Sequence, residues 1–381
     1  MRATWDVFCN VIDNYGDIGV AWRLARDLAR KPELEVRLWV DDLEVFRRIW
    51  PSIDADRAEQ NDAGVTVRAW RTPFNDTPAA DVVIEAFGCA LPATYLRAMS
   101  ARASAPVWIN LEYLTAESWA DAHHGLPSPH PSLPLVKHFF FPGYTEATGG
   151  LLIEPDLAER RCTFLGDGIA DFWRRLEVAP PRADELRVSL FAYENTALPA
   201  MLDAWAGDAA PVSCLVPEGR AIPQLAAWLG VAGLQAGETH QRGALKLWVL
   251  PFLSQDDYDR LLWACAVNFV RGEDSCVRAQ LAARPLVWQA YPQSEGAHGR
   301  KVAAFLARYS EGLDIVSARA IGGLWRHWNG APEAMEIASC WRAFRLRQQT
   351  MKRHAGAWAA RLSGQGRLTE KLLEFVEKRI K

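Results

Sequence analysis

The sequence predicts an α/β protein of two doubly wound domains in tandem, closed by a helical tail. Three observations carry that expectation. Short apolar runs alternate with stretches whose apolar residues recur at helical spacing, the signature of a parallel sheet covered on both faces. The alternation breaks near residue 120 in a Pro- and Gly-rich stretch and restarts near 186. The 381 residues also exceed what one hydrophobic core usually serves.

In the first half, "TWDVFCNV" reads as a strand and "GVAWRLARDLAR" as a helix with Val20, Leu24, Ala25 and Leu28 on its apolar side. "EVRLWVDD" is a second strand, and "LEVFRRIW" a short helix stopped by Pro51. "VTVRAW", "ADVVIEAFG" and "APVWINLEYL" follow as strands, with the helix "PATYLRAMSA" between the last two. The segment 120–183 reads as a long excursion, of the kind that carries function or joins domains, with "EVAPPRADE" as linker.

The second half repeats the pattern: strand "LRVSLFAY", helix "ALPAMLDAWAG", strand "PVSCLVP", helix "IPQLAAWLG", strand "LKLWVLPFL". A helix then runs through "SQDDYDRLLWACA", with Ser254 as its N-cap and acidic residues in its first turn. Strand "VNFVRG", turn "EDS", helix "CVRAQLAA" and strand "PLVWQAY" complete the domain. The expected limits are 1–170 and 184–349, with residues 350–381 packing back on the first domain. Two such sheets are expected to face a cleft, because open α/β sheets bind ligands beyond the carboxyl ends of their strands.

Composition narrows the partners. A net charge of −3 argues against nucleic acid, which needs a concentrated basic face. No run approaches the length of a membrane span, and "MRATWDVFCN" lacks a signal-peptide core. Seven scattered cysteines without a CxxC suit free thiols, so a cytoplasmic protein is expected. The 17 tryptophans are expected mainly in the core. His123, His124 and His130 lack the spacing of a zinc site, and neither a GxSxG elbow nor a P-loop is present.

Three stretches can carry chemistry. In "CNVIDNYGDIGVAWRLARDLA", Asp13 and Asp17 lie four residues apart at the carboxyl end of the first strand. They either close an Asp-Asn turn and cap the helix, with Asp17 as N-cap, or form a carboxylate pair for a basic group. In "VNFVRGEDSCVRAQLAA", a strand ends at Arg271, turns through Gly272 and leads to a helix start near Ser275. That arrangement seats a diphosphate, with Glu273 and Asp274 suited to sugar hydroxyls, or it is a capped helix with a local ion pair. The third stretch is an aromatic set at predicted strand ends: Phe191, Tyr193, Phe252, Tyr258 and Tyr291, which stack on a nucleobase or pack in the core.

Taken together, "NVIDNYGDIGVAWRLARDLA", "NLEYLTAESW", "RGEDSCVRAQLA" and "WQAYPQ" resemble the elongation factor P arginine rhamnosyltransferase family of bacteria, in order and over essentially the whole chain. The resemblance implies a GT-B glycosyltransferase that moves rhamnose from dTDP-β-L-rhamnose to an arginine of elongation factor P, with inversion and without a metal or other cofactor. It matches Asp13, Asp17 and Glu273 to the catalytic acidic positions. It matches Phe191, Tyr193, Phe252, Gln255, Tyr258, Arg271, Asp274, Ser275 and Tyr291 to the donor pocket. In that picture Asp17 is the base, Asp13 orients the acceptor, and an aromatic pair including Phe191 holds the thymine. A nucleotide-sugar hydrolase or epimerase, or a module that only binds elongation factor P, would share much of this framework.

Overall fold

The structure, a computed structural model, describes residues 2–12, 15–291, 297–331 and 335–380. The chain divides into two compact units, one of residues 1–154 with 362–381, the other of residues 155–361.

The first unit is built on an eight-stranded sheet. Its strands are β1 (Ala3–Cys9), β2 (Leu34–Val40), β3 (Glu59–Asp62), β4 (Val65–Ala69), β5 (Val82–Ala86), β6 (Val107–Leu111), β7 (Pro127–Pro129) and β8 (Val136–Phe140). They lie in the order β3-β4-β2-β1-β5-β6-β8-β7. The six inner strands are parallel, and β1, β5 and β6 are buried along most or all of their lengths. The edges differ from a purely parallel expectation: β3 pairs antiparallel with β4, and β7 with β8. Phe8, Trp39, Val83, Tyr95, Met99 and Trp108 form a core cluster on this sheet.

The second unit carries a six-stranded sheet of β9 (Leu186–Leu190), β10 (Val212–Pro217), β11 (Thr239–Arg242), β12 (Leu245–Leu250), β13 (Val267–Arg271) and β14 (Leu286–Gln289). The order is β11-β12-β10-β9-β13-β14, parallel except for the β11–β12 hairpin. In each sheet the chain winds outward from a central strand to one side, then returns to wind to the other. The reversal falls between β1 and β5 in one sheet and between β9 and β13 in the other. Loops leaving those strands are where doubly wound folds bind ligands.

Local chemistry explains the element ends. The helix Gln255–Ala264 starts where Ser254 accepts the Asp257 N–H at 3.3 Å, with Asp256 and Asp257 complementing the helix dipole. Six tryptophans (Trp5, Trp22, Trp205, Trp325, Trp328 and Trp341) are almost wholly buried. All seven cysteines are free, and only Cys162 is exposed.

Two expectations need correction. The excursion is not one long loop. It holds β7, β8 and the helices Leu157–Thr163 and Ile169–Arg175, joined by a π-helical turn at Phe164–Gly168. The division between units also falls at Glu154–Pro155, ahead of the expected limit of 170. Residues beyond it pack into the second unit, where Phe164 meets Trp263 and Arg175 pairs with Asp257 at 2.7 Å. Of the tail, residues up to 361 stay with the second unit, Trp358 donating to Gln280 at 2.9 Å. The helix Leu368–Glu377 belongs to the first, and the preceding Arg367 forms an isolated parallel bridge with Leu151.

Candidate active site

The first unit gathers carboxylates at the carboxyl ends of its central strands. After β1 the chain passes through Asn10, Val11 and Ile12; Asp13 and Asn14 lie outside the described residues. The helix Gly16–Ala29 then begins, with Tyr15 at its N-cap position. Asp17 is therefore not the N-cap that the turn suggested. It is the second helical residue, and it reaches back: Oδ2 accepts the Ile12 N–H at 2.9 Å, while Oδ1 accepts the Tyr113 hydroxyl at 3.1 Å. Only 2% of Asp17 is exposed.

The same loop is held from its other side by Asp41, which accepts the Val11 N–H at 2.9 Å and the Asn10 amide. Tyr113 follows β6, and its ring stacks on Phe87, just beyond β5, with centroids 4.6 Å apart and planes 20° off parallel. Glu85 and Glu112 add acidic groups at the ends of β5 and β6. Burial pushes both carboxyls above their ordinary range, against the pull of Lys137, which pairs with Glu85 at 2.9 Å. Burial, reinforced by the Asp17 charge, likewise pushes the Cys9 thiol up. This edge gathers Asp17, Asp41, Glu85 and Glu112, with Lys137 paired to Glu85.

The second unit builds the opposite. The parallel register of β9 and β13 pairs Phe269 with Leu190, so their outgoing residues lie side by side. Arg271, 6% exposed, places its guanidinium 4.3 Å from the Phe191 ring centre and 4.5 Å from that of Tyr193. Tyr258 abuts Phe191 at 5.3 Å, and Tyr291 meets Tyr193 edge-on at the same distance. One cation thus sits within a run of four aromatic rings.

The backbone locks this arrangement. Gly272 turns the chain at φ 63°, a conformation that glycine adopts without steric cost, and Trp288 donates to its carbonyl at 2.7 Å. The helix Asp274–Leu281 follows, with Glu273 at its N-cap position. The Ser275 hydroxyl lies 3.2 Å from the Arg271 N–H, as acceptor, and donates to the Arg271 carbonyl. Gln255 approaches Asp274 at 3.5 Å. Gln289, which the sequence did not single out, accepts the Tyr193 N–H at 2.9 Å and donates to the Glu194 carbonyl at 3.2 Å.

The structure thus brings Phe191, Tyr193, Tyr258, Arg271, Ser275 and Tyr291 into one connected group, with Gln255 and Asp274 joined to each other. Phe252 is half-buried in the loop after β12, two residues ahead of Ser254. Among the described residues, no three His, Cys, Asp or Glu side chains are grouped to hold a metal ion. No helix among them is long and apolar enough to cross a membrane.

Two doubly wound units in tandem, each a largely parallel sheet with alternating helices, are the fold of GT-B glycosyltransferases. Similarity to solved structures agrees. The calicheamicin glycosyltransferase CalG4 superposes with a TM-score of 0.54 at 12% identity, all of both chains being covered. A structure described as the basis for EarP-mediated arginine glycosylation of translation elongation factor EF-P superposes with a TM-score of 0.72 at 37% identity, again over both whole chains.

Sequence comparison is narrower still. The family described as Elongation-Factor P (EF-P) rhamnosyltransferase EarP matches residues 5–377. The chain is 50% identical to a protein-arginine rhamnosyltransferase of Pseudomonas putida, covering 98% of this chain and 99% of the relative. It is 46% identical to one of Pseudomonas aeruginosa, covering 98% of each. The chain belongs to the elongation factor P rhamnosyltransferase family.

Proposed function

We propose that this chain transfers L-rhamnose from dTDP-β-L-rhamnose to an arginine of elongation factor P by a single inverting displacement, in the cytoplasm. The observation that carries the reading is the family match over residues 5–377, joined to a buried carboxylate on one unit and a buried arginine on the other. A cationic acceptor calls for the first, and a diphosphate leaving group for the second.

The chemistry follows from the acceptor. A guanidinium stays protonated below a pKa of about 12 and is delocalised, which makes it a poor nucleophile. Carboxylates can grip its planar fork and align one nitrogen with the anomeric carbon. Asp17 takes the proton as the C–N bond forms and nitrogen acidity rises; its two hydrogen bonds, from the Ile12 amide and the Tyr113 hydroxyl, support that reading by fixing the carboxylate plane. Asp13 orients the same group.

On the donor side, the C–O bond to the diphosphate breaks as the C–N bond forms. Arg271 and the amides opening the helix Asp274–Leu281 stabilise the charge that develops there. Glu273 holds the sugar in register, and Asp274, Ser275 and Gln255 line the same seat. Phe191, Tyr193, Phe252, Tyr258 and Tyr291 supply aromatic surface for the thymine. No protein nucleophile is required, and transfer is expected to survive EDTA.

The test is product stereochemistry. Elongation factor P treated with the protein and dTDP-β-L-rhamnose should carry an α-linked rhamnosyl-arginine, read from the one-bond C–H coupling at the anomeric carbon. A β-linked product would overturn the single displacement. Donor consumption without acceptor modification would point to a hydrolase or epimerase instead.

A further inference from the structure

We propose that Tyr113 and Phe87 form the aromatic half of a guanidinium seat whose carboxylate is Asp17, and that this half selects a planar guanidinium over an ammonium. The inference rests on the reading of Asp17 as the acceptor-side carboxylate and assigns work to two residues outside the sequence-predicted set.

Three observations converge. Tyr113 donates its hydroxyl to Asp17 Oδ1 at 3.1 Å, and with the Ile12 N–H on Oδ2 it fixes the plane of the carboxylate. Tyr113 is 37% exposed as a residue despite that tether, so part of its surface remains accessible. Its other support is Phe87, stacked 4.6 Å away, which makes a wall two rings thick.

The backbone under Phe87 adds to these. Phe87 has φ 59°, followed by Gly88 at φ 71°. A bulky residue in the left-handed region costs on the order of 1–3 kcal/mol and persists only where its surroundings hold it. They do so here: the Phe87 N–H bonds the Leu111 carbonyl at 2.7 Å, and the Gly88 N–H bonds Asn110 Oδ1 at 3.1 Å. The strain falls where β5 ends, and its effect is to lay a ring beneath Tyr113.

The chemistry that fits is a flat cation. A guanidinium presents N–H groups along its edge to a carboxylate and a delocalised face to an aromatic ring, both at once. A lysine ammonium is a compact, strongly hydrated point charge and gains little from the wall. Each carboxylate oxygen accepts more than one hydrogen bond, so the tyrosine hydroxyl and an acceptor N–H can share Oδ1. Tyr113 acts partly through Asp17, as a positioning residue, and partly as a surface.

The test separates these roles with full-length Tyr113→Phe and Tyr113→Leu. Tyr113→Phe keeps the ring and removes one hydrogen bond to a charged group, so kcat should fall about 10-fold with acceptor KM within about two-fold. Tyr113→Leu removes the wall as well, and should also weaken N-acetyl-arginine amide binding by about five-fold, measured by NMR titration without donor. Binding of N-acetyl-lysine amide should change less, shrinking the arginine preference. A wild-type kcat in Tyr113→Phe, or an unchanged arginine preference in Tyr113→Leu, would overturn the proposal. If the wild-type protein prefers the arginine amide, loses that preference in Tyr113→Leu, yet never transfers sugar, the seat stands and the transferase reading falls. If transfer proceeds equally in wild type and both variants, the seat falls and the transferase reading stands.

Discussion

The two units answer the same topological problem with opposite charges. Each winds outward from a central strand and reverses, and each presents a buried charged residue near that reversal, where doubly wound folds leave a gap between loops. At the β1–β5 reversal a carboxylate is held by an amide and a tyrosine hydroxyl. At the β9–β13 reversal a guanidinium is held by aromatic faces. The fold supplies the location twice, and the side chains decide whether a carboxylate or a guanidinium stands there. In both cases aromatic residues support the charged group, which limits its water contact.

Breaking the acidic side should have the largest effect. Asp17→Asn keeps the size and removes the proposed base, so transfer should fall at least about 100-fold, with donor affinity held within about two-fold. Single-turnover transfer and donor binding would check the two halves of that statement. A variant that loses donor affinity equally would erase the division of labour between the units.

Breaking the basic side comes next. Arg271→Lys keeps the charge but not the planar face that lies over Phe191 and Tyr193. The inhibition constant of dTDP should rise about 10-fold, whereas N-acetyl-arginine amide binding to the first unit should not move. The pair of results would sharpen the contrast more than either alone.

A structural counterpart tests whether the second unit depends on its own buried ion pair. Arg278 makes a two-point contact with Asp259, at 3.0 and 2.6 Å, and both are almost fully buried. Asp259→Ala leaves a buried cation short of its partner and should destabilise by about 3–5 kcal/mol, read from chemical denaturation. Loss of less than about 1 kcal/mol would mean that water or neighbouring groups replace the carboxylate.

The smallest effect concerns pH in the first unit. Burial, helped by Lys371 and Arg379, pushes His124 down to about 4 from its ordinary 6.5. The unfolded chain therefore binds the extra proton first. The contribution is complete above about pH 6.5 and is lost as pH falls toward 4. His138, lowered for the same reason, acts in the same direction. His124→Asn should flatten the loss of denaturation midpoint between pH 7 and 5.

Much of this was legible in the sequence, and the gaps have physical causes. Inner strands such as β1, β9 and β13 are buried, apolar and bounded by turn residues, so periodicity and composition reveal them. The edge strands β3 ("EQND") and β11 ("THQR") are short and polar, and pairing with one neighbour alone leaves no apolar signature. β8 was masked by the proline-rich approach to it. Arg271 was visible as the end of a strand before a glycine turn. Its seat on Phe191 and Tyr193 was not, because that depends on the register of β13 against β9, across nearly eighty residues of chain.

The Asp17 site shows the same limit. Its position after the first strand could be read, but its partner Tyr113 comes from just beyond β6, 96 residues away. Nothing in "NLEYL" separates Tyr113 from a core aromatic. Phe87 gave no sign because positive φ is ordinarily inferred from glycine, and here it falls on the residue before one.

The most direct measurement is the intact mass of elongation factor P after incubation with this protein and dTDP-β-L-rhamnose, with Asp17→Asn run beside it. Transfer with Asp17 as the base predicts a gain of about 146 Da, the mass of one rhamnosyl unit, with the wild type and almost none with the variant. An unchanged acceptor with folded proteins and authentic donor, or an equal gain with Asp17→Asn, would contradict it.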